Sequence, residues 1–177
     1  MLTPFSGQPA HLVKRFKEQS RLTPGKALFF EKRDGQWSGL TYEQTETRIT
    51  QLAFYMTKLG LMPGDHVLLC AENRIDWAVA DLAIMAIGCV VVPAYTTNTE
   101  DDHAWLIDHS QVKLVICCAG KVGDSLAKVL CGQVSIANMI LMDQPTAEFQ
   151  GPKNISVHFL HEIYARGDTE RKLDEII

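Results

Sequence analysis

The sequence contains no Cys-x-x-Cys, no Gly-x-Gly-x-x-Gly and no Gly-x-x-x-x-Gly-Lys-Ser/Thr. Those absences remove the commonest zinc, dinucleotide and triphosphate signatures. Basic residues are not in excess: 17 Lys and Arg stand against 21 Asp and Glu, for a formal charge of −4. No field of that sign draws in a polyanion, so no nucleic-acid partner is expected. Long apolar runs are missing too. The best, residues 82–94, has about two-thirds of the length of a spanning helix and is divided at Gly88, so it reads as core. The first ten residues lack the basic region and apolar stretch of a signal peptide. Cysteine is sparse and odd in number (Cys70, Cys89, Cys117, Cys118 and Cys131), which excludes a dense disulfide scaffold. We read these as buried free thiols in a reducing cytoplasm. With 46% hydrophobic and 21% charged residues, the chain is a globular one, not a disordered one.

What is present is a rhythm. Residues 11–20 predict a short helix; after Thr23-Pro24-Gly25, residues 27–31 and 36–40 flank Asp34-Gly35 as a β-hairpin. Thr41 with Gln44 three positions on is a capping box. Ile49, Leu52, Ala53, Met56 and Leu59 follow at helical spacing, and Gly60 ends the helix. Residues 67–71 are apolar without alternation, as in a strand covered on both faces. Asn73 is the expected cap of a helix over 75–87 that is apolar nearly all round, with Asp81 breaking it. Gly88 closes that helix, and residues 89–92 predict a second buried strand. Thr99 with Asp102 caps a helix to His109, with Glu100, Asp101 and Asp102 where the dipole favours negative charge. Residues 113–118, 122–130 and 139–142 continue as strand, helix and strand. After Asp143 the pattern weakens to a short strand over 156–160 and a helical turn over 160–165. Strands alternating with helices predict an α/β fold with a mainly parallel sheet and helices on both faces.

Local chemistry is sparse. Ala119-Gly120-Lys121-Val122-Gly123-Asp124-Ser125 joins a strand to a helix, where backbone amides can meet phosphate, yet such glycines are ordinary in βα turns. His103 and His109 share no helix face, and they, like His158 and His161, are assigned to surface or capping roles. Asp108-His109-Ser110 holds triad residue types whose side chains diverge. Cys117 and Cys118 are expected on opposite faces of one strand. Trp77 and Trp105 read as core contacts, and Asp81 requires a partner or a path to solvent. The loop 93–98 leaves the carboxyl end of a buried strand, where open α/β sheets hold ligands. Its Tyr95, Thr96 and Thr97 are the cleft-lining candidates, against the alternative of a polar linker ending in a cap. No catalytic, cofactor-binding or metal-binding residue is assigned.

From residue 40 to 118 the order of short motifs carries more than any one of them. Leu40-Thr41-Tyr42 opens a helix, and Leu59-Gly60-Leu61-x-Pro63-Gly64-Asp65-x-Val67 follows it. Asn73 precedes the apolar helix and Ala86-Ile87-Gly88-Cys89-Val90-Val91-Val92-Pro93. Leu106-Ile107-x-x-Ser110-x-x-Lys113-Leu114-Val115-Ile116 completes the series. The ordered set resembles the start of the AMP-forming acyl-CoA synthetases of the adenylate-forming superfamily. The run Val92-Pro93-Ala94-Tyr95-x-Thr97-x-Thr99 looks closest to the long-chain fatty acid–CoA ligase branch. Gln44 and Thr45 depart from an acidic-then-apolar pair frequent in such enzymes, a departure that touches helix capping and not chemistry.

The resemblance implies a parent reaction in which a fatty acid carboxylate attacks the α-phosphate of Mg-ATP and pyrophosphate leaves. Coenzyme A then displaces AMP from the acyl adenylate. ATP, Mg2+ and coenzyme A are therefore expected for the full-length parent and none for this segment. The family's phosphate loop, adenine motif, ribose-binding Asp and catalytic Lys find no match among these residues. Residues 1–40 are expected as an amino-terminal helix and hairpin, 41–143 as a βαβ core, and 144–177 as a connecting segment ending before the phosphate loop. The uncapped apolar terminus, Ile176-Ile177, reads as a cut in a longer polypeptide. The expectation is thus an amino-terminal fragment, inactive alone, of a cytoplasmic enzyme whose parent is open to peripheral membrane contact. It would be a partial lobe that packs on a missing downstream lobe and self-associates through the exposed docking face. The alternative is a self-contained, non-catalytic α/β module that binds a ligand or partner at the Tyr95 loop.

Overall fold

The computed structural model describes residues 11–33, 35–133, 135–167, 173 and 176. Helix α1 (Leu12–Leu22) precedes an antiparallel hairpin of β1 (Ala27–Arg33) and β2 (Gln36–Thr41). Gly35 sits in the turn with φ 79°, a left-handed conformation that glycine adopts without strain; Asp34 lies outside the described residues. Then come α2 (Tyr42–Lys58), β3 (His66–Cys70), α3 (Ile75–Ala86), β4 (Val90–Pro93) and α4 (Glu100–His109). The series ends with β5 (Val112–Cys117), α5 (Lys121–Leu130), β6 (Asn138–Leu141), β7 (Ser156–Phe159) and α6 (Leu160–Arg166).

Strands β3 to β7 form one parallel sheet in the order β4-β3-β5-β6-β7. Alternation within the strands divides the core. Val67, Leu69, Leu114, Ile116 and Ile140 join α1, α2, α3 and α6 on one face. Leu68, Cys70, Val115, Cys117, Met139 and Leu141 join α4 and α5 on the other. Helices thus cover both faces, as a sheet with continuous apolar strands requires. Capping follows the sequence at two helices: Gln44 N–H donates to Thr41 Oγ1 at 3.2 Å, and Asp102 N–H donates to Thr99 Oγ1 at 3.2 Å.

Several local expectations are corrected. The start of α3 is not capped by Asn73: Arg74 is the cap residue, and Ile75 N–H donates to Glu31 Oε2 of β1 at 3.1 Å. The partner comes from the hairpin, 44 residues away, so no local spacing announces it. Strand β4 is not buried on both faces but is an edge of the sheet, with Val90 44% exposed. Trp105 is 60% exposed and stacks on His109 at a centroid distance of 4.6 Å, one turn along α4, instead of entering the core. His103 goes the other way and is buried. Cys117 and Cys118 share one cluster because β5 ends at Cys117 and the next residue leaves the pleat. Cys131, alone of the five thiols, is exposed.

Candidate functional site

In this strand order β3 leads through α3 to β4 on one side, and β4 leads back through α4 to β5 on the other. The direction reverses between β3 and β5, and the crevice outside the carboxyl ends of those strands is where such sheets bind ligands. The turn after β3 carries Ala71, Glu72, Asn73 and Arg74. It separates two clefts that share Glu72 and Asn73. One, of about 520 Å3, opens toward the hairpin and is bounded by Phe30, Trp37, Arg74 and Asp143. The other, of about 470 Å3, opens toward β4 and is bounded by Trp77, Pro93, Tyr95 and Thr96. Tyr95 is 79% exposed, its carbonyl accepting from Cys70 Sγ at 3.5 Å and from Asn98 N at 3.2 Å. Thr97, one residue beyond this wall, is exposed.

A charged network fixes this rim. Arg74 Nη1 donates to Asp143 Oδ2 at 2.8 Å, and Nη2 donates to Asp76 Oδ2 at 2.9 Å. Arg48 reaches the other oxygen of Asp76 at 3.5 Å, and Ala119 N–H donates to Asp143 at 3.4 Å. Burial works against the Arg74 charge, but the hydrogen bond and charge of Asp143, then those of Asp76, outweigh it and hold the guanidinium ionised. The carboxyl ends of β5 and β6, the start of α3 and, through Glu31, the hairpin are thereby tied together.

The rim also holds two thiols. Burial, then the charge of Glu72, pushes the Cys118 thiol up to about 12, and burial with the same charge pushes Cys70 to about 11. Neither is a thiolate at neutral pH, so neither is an activated nucleophile. Among the described residues no group of three His, Cys, Asp or Glu is placed to hold a metal ion. Gly120 takes the left-handed φ of 72° before α5, and a Cβ on Gly123 would lie 3.1 Å from the Cys118 carbonyl oxygen. Gly120 thus serves the turn into α5, and Gly123 serves the close packing of α5 on the end of β5.

Sequence reasoning singled out the Tyr95 loop and missed Glu72, Arg74 and Asp143. The available signal was positional: Glu72 and Asp143 stand directly beyond apolar strand runs, at the rim of the sheet. The Arg74–Asp143 pairing spans 69 residues and leaves no local trace.

Known proteins place this architecture. The model of the family described as AMP-binding enzyme matches residues 16–171. The long-chain-fatty-acid–CoA ligase FadD15 of Mycobacterium tuberculosis is 29% identical over 109 residues, 61% of this chain and 18% of its own. Fatty acyl-CoA synthetase A of Dictyostelium discoideum is 21% identical over 154 residues, 84% of this chain and 22% of its own. The chain thus spans about a fifth of the length of these curated relatives. The solved benzoate CoA ligase of Burkholderia xenovorans LB400 superposes with a TM-score of 0.71 at 22% identity, over 89% of this chain and 28% of that one.

Proposed function

The chain belongs to the AMP-binding enzyme family, and from that premise we propose that it is the amino-terminal lobe of a long-chain fatty acid–CoA ligase. One observation carries the reading: an ordered motif series over residues 40–118 lies inside a family match covering 16–171. In this reading the whole polypeptide acts in the cytoplasm, peripheral membrane contact remaining open to it. It joins a fatty acid to coenzyme A with ATP and Mg2+ through an acyl adenylate. The long-chain assignment draws on the Val92–Thr99 run and on the named activities of the bacterial and amoebal relatives.

The rim residues do not fit a triphosphate or magnesium site. Arg74 is matched by two carboxylates, and Asp76 and Asp143 are engaged with it. No step of the reaction is therefore assigned to this chain, which by itself is inactive. Its part is mechanical. The Arg74 network locks the turn after β3 and the hairpin into one rigid face for the remainder of the enzyme to pack on. Phe30 and Trp37, 63% and 69% exposed, stand beside the hairpin cleft as the apolar patch that a downstream lobe covers. In the isolated chain the same patch drives self-association, and a strict monomer at every concentration in sedimentation velocity contradicts this.

Expression of the whole gene encoding these residues, assayed for AMP release and thioester with palmitate and benzoate, tests the assignment. Palmitate-dependent release of both products is expected. Release with benzoate and none with palmitate overturns the long-chain branch. No acid-dependent release with any substrate overturns the ligase reading and favours a binding module at the Tyr95 cleft.

A further inference from the structure

A groove of about 390 Å3 shares Trp77 with the Tyr95 cleft but opens between α1, the hairpin and α3. Its walls are mostly apolar and rich in aromatic rings: Phe16, Phe29, Tyr42 and Trp77, with Phe16 stacked on Tyr42 at a centroid distance of 5.9 Å. One carboxylate interrupts them, that of Asp81, which with Asp76 is one of the two acids of α3. Burial pushes the Asp81 carboxyl above its ordinary value, and among the described residues no cation or hydrogen-bond donor offsets that burial. The groove's other charged group, Arg15, stands half-exposed and pairs with Glu18 at 3.7 Å.

Asp81 is half-buried at this wall, so its carboxylate has lost part of its hydration, and a cationic ligand in the groove supplies what the wall removes. Rings beside a carboxylate suit one kind of cation best, since the ring face and the carboxylate both attract an ammonium group. The volume lies in the range of small-ligand pockets, and a mostly apolar lining with one placed polar group is their usual composition. We propose that this groove binds a small hydrophobic ammonium ion, its nitrogen on the Asp81 carboxylate and its apolar body along the aromatic walls. The site is separate from the carboxyl rim and stands whether or not the ligase assignment does.

Trp77 reports on the groove directly. In the chain with Trp37→Phe and Trp105→Phe, Trp77 is the remaining indole, and its fluorescence is titrated with phenethylammonium and with neutral 2-phenylethanol. A saturable change with the ammonium is expected, about tenfold tighter than with the alcohol. Asp81→Asn is expected to weaken the ammonium by a similar factor and leave the alcohol unchanged. Equal affinity for the two probes, no saturation by the ammonium, or unchanged affinity in Asp81→Asn overturns the proposal. Trp77 also borders the Tyr95 cleft, so Tyr95→Ala, at an exposed residue, is titrated as well: unchanged ammonium affinity there keeps the response in the groove, and lost affinity overturns the proposal. An ammonium response that disappears as protein concentration rises assigns the groove to a second copy of the chain and overturns it equally.

Discussion

His103 shows what a single residue can hide. On α4 it follows three acids and looks like a surface group, yet it is 1% exposed, and its Nδ1 has no hydrogen-bond partner among the described residues. Burial holds its pKa below the ordinary 6.5, with the neighbouring Asp102 opposing weakly. His158 is lowered as well, by burial first and Arg166 second; its Nδ1 meets Tyr55 Oη at 3.0 Å and its Nε2 meets Asn138 Oδ1 at 2.9 Å. Both are neutral in the folded state, so the unfolded chain binds more protons as the pH falls. The stability held by the neutral rings is complete above the unfolded pKa of about 6.5 and is lost as the pH drops through the folded values. Urea midpoints are therefore expected to fall between pH 7.5 and 5.5, and His103→Phe is expected to reduce that fall. An identical pH dependence in the variant contradicts the buried neutral ring. None of this was legible locally, because the partners that bury His103 come from other elements. Trp105 fails in the opposite sense: an aromatic among apolar neighbours reads as core, but helical spacing turns it outward onto His109.

Elements were far easier to read than residues. The capping box at Thr41 and Gln44, the apolar stripe of α2 and the Gly60 stop are local rules, and each lies where the spacing puts it. Thr41→Ala removes one side of that box and is expected to cost about 1 kcal/mol in chemical denaturation, with Thr41→Ser recovering most of it. A loss near zero would mean that α2 is held by packing alone. The register of the sheet could not be read in the same way. Residues 67–71 and 89–92 are equally apolar, and composition does not tell a central strand from an edge. The strand order decides: β3 lies between β4 and β5, while β4 has one neighbour. The cap of α3 failed for a related reason, because Glu31 reaches it across the fold while Asn73, the local candidate, goes unused.

At the scale of the whole molecule, fold class followed from alternation and family from the order of motifs. The candidate site was legible only in outline. Tyr95 and Thr96 do line a cleft, but the sheet reverses between β3 and β5, and the charged rim there is assembled from residues 31, 74, 76 and 143. Such a set is invisible to spacing because topology alone brings it together. Within it Arg74 is held between Asp76 and Asp143, and burial with the charge of Glu72 keeps the Cys70 and Cys118 thiols protonated. The central claim is that this rim is a supporting wall and not a reaction centre. Exchange of labelled pyrophosphate into ATP, driven by palmitate and catalysed by the purified 177-residue chain, tests it most directly. The account predicts no exchange above background; palmitate-dependent exchange by this chain alone would contradict it.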